Sequence, residues 1–330
     1  MSKGEHGKKR WVGKLIAFAV TIALVSTAYV YRQDIQDYIV AWRFSPDVEM
    51  RVLVDGLDLT ARGERILYAS RPELLGRENF NQHCSSLEDG VNILGCYVRG
   101  KVYVFDVRNE ELEGMNSVTL AHEMLHAVYG RLSSSEKHKL GELVKAEYER
   151  QRTDELEERL GYYERNMSES VVDELHSIFG VEGLELSPEL EAHYSKYFAN
   201  RSGIAKVHRS YYERLAKLRE QTNDLLDEME ELSDKIQRDK VVYESNRDTL
   251  DAKVKDFYQR LEDSYLSPEE YLRERAALQA EIDELNELYN GINKKVGEYN
   301  GLVVKYNEIA LHVKELNNSI DSNFAPTPSL

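Results

Sequence analysis

Cysteine and proline are among the residues that this sequence uses least. Only 2 of its 330 residues are cysteine and 6 are proline. Two cysteines, with no histidine near them other than His83, argue against a thiol-based metal site. The low proline content, together with a charged fraction of 31%, favours a helix-rich, acidic chain.

Positive charge is also in deficit. The chain has 43 Lys and Arg residues against 59 Asp and Glu residues, which gives a net charge of −16. The only basic cluster lies at the N-terminus, whereas a nucleic-acid-binding protein concentrates basic side chains in a patch. We therefore expect no nucleic-acid partner.

One long apolar run, residues 11–31, follows basic residues at positions 8–10. A run of this length can span a bilayer, and the basic flank predicts a cytoplasmic N-terminus with the rest of the chain outside the cell membrane. Residues 26–28, Ser-Thr-Ala, offer a cleaved signal peptide as the alternative. Because the run continues to Tyr31, we favour an uncleaved single-pass anchor.

The two cysteines, Cys84 and Cys96, flank a turn-rich stretch. In the oxidising compartment expected for this part of the chain, they are predicted to form a disulfide.

A helix-forming apolar run, residues 119–129, contains His122-Glu123-Met124-Leu125-His126. Residues four apart lie on one face of a helix, so both imidazoles can bind the same metal ion. The pattern predicts a catalytic site with one Zn²⁺ per chain, held by the two histidines and a third protein ligand. Glu123 is then the general base, and the apolar neighbours make a buried carboxylate without such a partner costly.

Short apolar runs precede this helix. Apolar residues at every second position from 48 to 54 predict a strand, and the runs 92–98 and 101–107 predict a β-hairpin. The metal helix is expected to begin near Ser117. A capping box at residues 133–136 predicts the next helix, 134–160.

A third helix, predicted over residues 166–180, contains Asp173-Glu174-Leu175-His176-Ser177. Together with the His122 motif it resembles the gluzincin zinc metallopeptidases, in which a glutamate of a later helix is the third zinc ligand. The resemblance implies an α+β zincin-like metallopeptidase domain, hydrolysis of peptide bonds, and Glu174 as that ligand. Ile178 stands where the thermolysin-like branch has an aspartate that orients the first histidine, which leaves the hydrogen-bond partner of His122 unassigned.

His176 is an alternative third ligand, because three histidines also form a catalytic zinc site. On a regular helix Glu174 and His176 are about 200° apart, so both cannot face one metal. The donor that stabilises the oxyanion of the reaction is also open, and the candidates are Tyr129, Tyr162, Tyr163 and His176.

The remainder of the chain is predicted to be an antiparallel coiled-coil hairpin, because apolar residues recur every three and four positions. Residues 215–236 form one such arm, and Ser267-Pro268 begins the other. The second arm's stripe is Ile282, Leu285, Tyr289, Ile292, Val296, Tyr299, Val303, Tyr306, Ala310 and Val313. This hairpin is a candidate surface for self-association or for a protein partner.

The predicted organisation is as follows: a cytoplasmic basic tail 1–10, a transmembrane anchor 11–31, a juxtamembrane linker 32–46, a zinc metallopeptidase domain 47–200, the hairpin 201–318 and a flexible tail 319–330. The predicted function is membrane-anchored, extracytoplasmic zinc-dependent hydrolysis of a protein or peptide substrate. Two alternatives are a membrane-tethered scaffold whose peptidase-like domain only binds, and a zinc amidase that acts on cell-wall peptides.

Overall fold

A computed structural model describes residues 18–23, 25–84, 93–154, 156–157, 160–161, 171–263 and 265–322. The chain divides into two compact units. The first comprises Met1–Tyr212 and Asn318–Leu330, and the second comprises Glu213–Asn317.

The first unit is built mainly from helices. In the described part of this unit the helices are α1 (Arg32–Arg43), α2 (Val48–Gly56), α3 (Ala61–Ala69), α4 (Arg77–His83), α5 (Met115–Arg131), α6 (Ser134–Gln151), α7 (Val171–Glu182) and α8 (Pro188–Tyr194). A single 3-10 turn, Glu110–Leu112, precedes α5. Helix α5 is central, because it packs against strands of the sheet on one side and against α7 on another, and its Leu120, Met124 and Leu125 are fully buried.

The first unit also contains a small sheet in the order β1-β3-β2. Strand β1 (Glu73–Leu75) is parallel to β3 (Lys101–Phe105), and β2 (Gly95–Val98) is antiparallel to β3. Arg99 and Gly100 form the β2–β3 turn with φ angles of 52° and 79°. The predicted β-hairpin is therefore confirmed, with shorter strands than the apolar runs; residue 92 lies outside the described part.

The strand predicted over residues 48–54 is wrong, since these residues belong to helix α2. Asp47 caps the helix by accepting a hydrogen bond from the backbone N–H of Met50, at 2.8 Å. Met50 and Val54 are buried, whereas Val48 and Val52 are exposed. Apolar residues at every second position also form pairs four positions apart, Val48 with Val52 and Met50 with Val54. Residues four apart share one face of a helix, and here the face of Met50 and Val54 packs inward.

The predicted fold class, an α+β zincin-like domain with an N-terminal transmembrane helix, is wrong. The described chain is mostly helical, and its sheet has only three strands of three to five residues. Among the residues that the structure covers, no helix is long and apolar enough to cross a membrane. Residues 11–17 and 24 of the predicted anchor lie outside the description.

Two further helices differ in length from their predictions. The capping box of Ser133 and Glu136 is present, but α6 ends at Gln151 and not near residue 160. Helix α7 is described from Val171, and the predicted portion 166–170 lies outside the described residues.

The last residues of the description also belong to the first unit. Asp321, which the sequence assigns to a flexible tail, accepts a hydrogen bond from Arg77 through its carbonyl at 2.9 Å, and the Ser322 carbonyl accepts one from Asn81 at 2.7 Å. These bonds fix the chain against helix α4.

The second unit is an antiparallel pair of helices, formed by portions of α9 (Arg201–Glu262) and α10 (Pro268–Ile320). Ion pairs join the arms: Lys253 lies 2.7 Å from Glu281, and Arg260 lies 2.6 Å from Glu274. The predicted apolar stripe of α10 only partly faces α9. Residues 285, 292, 299, 306 and 313 are shielded from solvent, whereas Ile282, Tyr289 and Val296 of the same stripe are exposed.

Candidate metal centre

Helix α5 places the two motif histidines side by side. Nε2 of His122 lies 3.2 Å from Nε2 of His126, as expected for residues four apart on one helical face. The side chains of His122 and His126 are 19% and 18% exposed, so solvent reaches the pair although the helix around it is buried.

Helix α7 brings Glu174 to the same point. One carboxylate oxygen lies 3.5 Å from Nε2 of His122, and the other lies 3.6 Å from Nε2 of His126. Zinc bonds of about 2.0–2.2 Å at tetrahedral angles place ligand atoms roughly 3.3–3.6 Å apart. The spacing of the three side chains therefore fits a zinc ion.

Glu123 lies beside this triad and is buried. Its carboxylate and the ligand nitrogens of His122 and His126 are all within 4.8 Å of one another. Burial raises the pKa of Glu123, and the charges of Glu174 and Asp173 add to this effect against the opposing influence of the two imidazoles.

Gly95 of strand β2 makes room for Glu123. A Cβ atom at position 95 would lie 2.6 Å from the Oε1 of Glu123 and 2.7 Å from a methyl group of Thr119. Cys96, the next residue, is bonded to Cys84 in a disulfide. The disulfide thus ties the strand that borders Glu123 to the end of helix α4.

Asp173 provides a partner for one of the histidines. Its Oδ1 lies 2.9 Å from Nδ1 of His126, which orients the ring so that Nε2 faces Glu174. Burial lowers the pKa of His126, but the hydrogen bond to Asp173 and the charges of Glu123 and Glu174 outweigh it and raise this pKa to about 9. Three carboxyl groups around two imidazoles leave an excess of negative charge, which favours a bound cation.

His176 points to a different neighbour. Its Nε2 lies 3.1 Å from Nε2 of His193, and its ring stacks on Tyr194. Its Nδ1 is buried and has no hydrogen-bond partner in the described part of the chain. Burial, followed by the nearby His193, lowers the pKa of His176, and burial also lowers the pKa of His193 to about 4. The two imidazoles are therefore neutral at pH 7.

Of the four candidate oxyanion donors, the structure describes Tyr129 and His176. The ring of Tyr129 lies 6.1 Å from that of His176 and 4.5 Å from Nζ of Lys137. Tyr162 and Tyr163 lie outside the described residues. The oxyanion donor stays unassigned.

A buried ion pair that the sequence analysis missed fixes the end of helix α5. The guanidinium of Arg131 lies 2.7 Å and 2.9 Å from the two carboxylate oxygens of Asp37, and it also donates to the Ala127 carbonyl at 2.8 Å. Asp37 lies in the segment predicted as a juxtamembrane linker. Helix α1 carries two acidic residues, Asp34 and Asp37, and no signal in the sequence alone marks Asp37 as the buried one.

Comparisons with known proteins do not assign the chain to a family. No protein-family model matches it, and no match was found among curated proteins or solved structures.

Proposed function

We propose that this protein is a zinc-dependent hydrolase that cleaves peptide bonds. The observation that carries the proposal is the mutual spacing of 3.2–3.6 Å between Nε2 of His122, Nε2 of His126 and the carboxylate of Glu174, with a further buried carboxylate, Glu123, beside them. Three protein ligands and a base that does not bind the metal are the composition of a catalytic zinc site.

His122, His126 and Glu174 would hold the metal in this proposal. Zinc at such a site supplies a Lewis acid and lowers the pKa of a coordinated water molecule towards about 7. Asp173 fixes the ring of His126 through Nδ1, which leaves Nε2 available as a ligand.

Glu123 moves the proton. Its carboxylate accepts a proton from the attacking water and then delivers it to the nitrogen of the leaving amine. The apolar surroundings that raise its pKa help both transfers, because they bring the pKa of the base closer to that of the water. Gly95 admits the carboxylate to this position.

The test measures metal content and turnover together. The purified chain should contain about one zinc per molecule, and Glu123→Gln should keep the zinc while casein or peptide-library cleavage falls by about 10²–10⁴-fold. Glu142→Gln is the matched control, because Glu142 is an exposed glutamate of the neighbouring helix α6. Zinc binding without any cleavage by the wild-type chain would instead support a binding scaffold.

A further inference from the structure

Helix α10 carries an uncharged surface that is exposed to solvent except at the half-buried Val303 and Ala310. The residues of α10 that face α9 recur every three and four positions, and the surface in question lies beside and behind them. Between positions 286 and 311 it contains no Asp, Glu, Lys, Arg or His. Its residues, called the uncharged strip below, are Asn286, Tyr289, Asn290, Asn293, Val296, Gly297, Asn300, Val303, Val304, Asn307, Ala310 and Leu311.

Several apolar members of the uncharged strip are open to solvent. Tyr289 is 50% exposed, Val304 is 57% exposed and Leu311 is 58% exposed. In the seven-residue repeat of a coiled coil the strip occupies three adjacent positions, an arc of about 100°, and it runs for roughly 38 Å along the helix. Exposed apolar side chains and asparagines alternate along this length, and such a surface can be buried without leaving a charge unpaired.

The same surface of α9 is different. Over the stretch that pairs with this part of α10, the positions equivalent to the uncharged strip include Asp227, Glu230, Asp234, Lys240 and Glu244. A helix packed on one side normally carries charge on the other. The absence of charge is therefore a particular property of α10, in a chain of which 31% is charged.

We propose that the uncharged strip binds the same strip of a second copy of this chain, in an antiparallel contact with a two-fold axis at Asn300. Two copies that each carry a net charge of −16 repel one another. A self-contact therefore belongs where charge is absent. A two-fold contact is self-complementary, so each residue before position 300 meets the residue equally far after it.

The sequence of the uncharged strip is self-complementary in this sense. Val296 meets Val304, Tyr289 meets Leu311, and Gly297 leaves space for Val303. Asn293 likewise meets Asn307, and Asn300 meets its own copy, where each amide can both donate and accept a hydrogen bond. Asparagines in a helical contact fix its register and weaken it. We therefore expect a dimer that dissociates on dilution.

Sedimentation equilibrium of the full chain over a wide range of concentration tests the contact. Val304→Glu should raise the dissociation constant by about tenfold or more, because it buries an unpaired carboxylate against Val296 of the other copy. Val241→Glu in α9 is the matched control, since Val241 has the same heptad position and is 58% exposed against 57% for Val304. A wild-type monomer at every concentration, or equal effects of both variants, would overturn the proposal.

Introduced thiols test the register. Both native cysteines are bonded to each other, so a new cysteine is the only free thiol. Under mild oxidation Asn300→Cys should form a reducible covalent dimer, whereas Asn223→Cys, at the same heptad position of α9, should not. A mixture of Asn293→Cys and Asn307→Cys chains should crosslink, and neither variant should do so alone. Crosslinking of Asn293→Cys with itself would show a parallel contact and rule out the antiparallel arrangement.

Discussion

The two units differ in how far their ionisable side chains are buried. In the first unit Glu123 and Glu174 are both 5% exposed and lie among the apolar residues of α5 and α7. In the second unit the ion pairs that join the arms face solvent, with the side chains of Lys253 and Glu281 50% and 38% exposed.

The buried and the exposed ionisable side chains have different roles. Burial of a charged group is costly unless a partner offsets it, so the buried cluster of imidazoles and carboxylates is the place where we propose a metal ion. Exposed ion pairs contribute little to the free energy of folding. The charged side chains of the hairpin therefore keep its surface hydrated and link the two arms, but they add little stability. In the second unit the informative feature is the reverse one, a surface without charge.

Removing a proposed metal ligand should give the largest effect. Glu174→Ala takes away one of the three proposed protein ligands, and we expect zinc affinity to fall by more than the roughly 10–100-fold that loss of an outer partner costs. His176→Ala should keep the metal, because His176 contacts His193 and not the triad. Zinc affinity, measured by competition with a chelator, distinguishes the two variants.

The opposite result would redraw the site. If His176→Ala loses zinc while Glu174→Ala retains it, the third ligand is a histidine and the gluzincin resemblance does not extend to α7.

Breaking the buried ion pair of the first unit should give the next largest effect. Arg131→Ala leaves the buried carboxylate of Asp37 without its partner, which costs about 3–5 kcal/mol. Hydrogen exchange of α5 peptides, followed by mass spectrometry, should report this loss of stability locally.

Lys253→Ala in the hairpin is the matched control for Arg131→Ala. It removes a positively charged side chain from an exposed ion pair. We expect the free energy of opening of α9 peptides, measured by hydrogen exchange, to fall by no more than about 1 kcal/mol. Equal effects of the two substitutions would remove the distinction between the units.

The sequence was sufficient to predict the local part of the site. The positions of His122 and His126 follow from helical spacing alone, which needs no knowledge of the rest of the fold. The roles of Asp173 and Gly95 depend on how α7 and β2 pack against α5. Both residues are tens of positions away from His122 along the chain, and the sequence does not show which distant residues come into contact. Glu174 entered the prediction through its resemblance to a motif and not through its spacing.

The fold prediction failed where one pattern permits two structures. Alternating valines at 48–54 suit a strand and a helix equally well, and only the burial of Met50 and Val54 decides between them. In α10 the sequence offers two overlapping apolar stripes with a shared member every seven residues. Packing on α9 selects one stripe, and Ile282, Tyr289 and Val296 of the other stay exposed.

Glycine substitutions should give smaller effects, of opposite sign in the two units. In the first unit a Cβ atom at Gly63 would lie 2.1 Å from the backbone oxygen of Tyr197. That oxygen cannot move freely, because it accepts a hydrogen bond of 2.9 Å from the N–H of Thr60. Gly63→Ala should therefore destabilise α3 by about 1–3 kcal/mol, the usual cost of overpacking, as measured by hydrogen exchange of α3 peptides.

The smallest effect should be a gain of stability in the hairpin. Gly291 lies inside helix α10, and a Cβ atom there would have no described atom within 4 Å. Alanine is favoured over glycine in a helix by about 0.8–1.0 kcal/mol, so Gly291→Ala should increase the protection of α10 peptides by about that amount. Gly291 is not part of the uncharged strip, and the dissociation constant of the dimer should not change. A loss of protection would show that a side chain at position 291 clashes with a neighbouring atom. The hairpin would then be packed as tightly at Gly291 as the first unit is at Gly63.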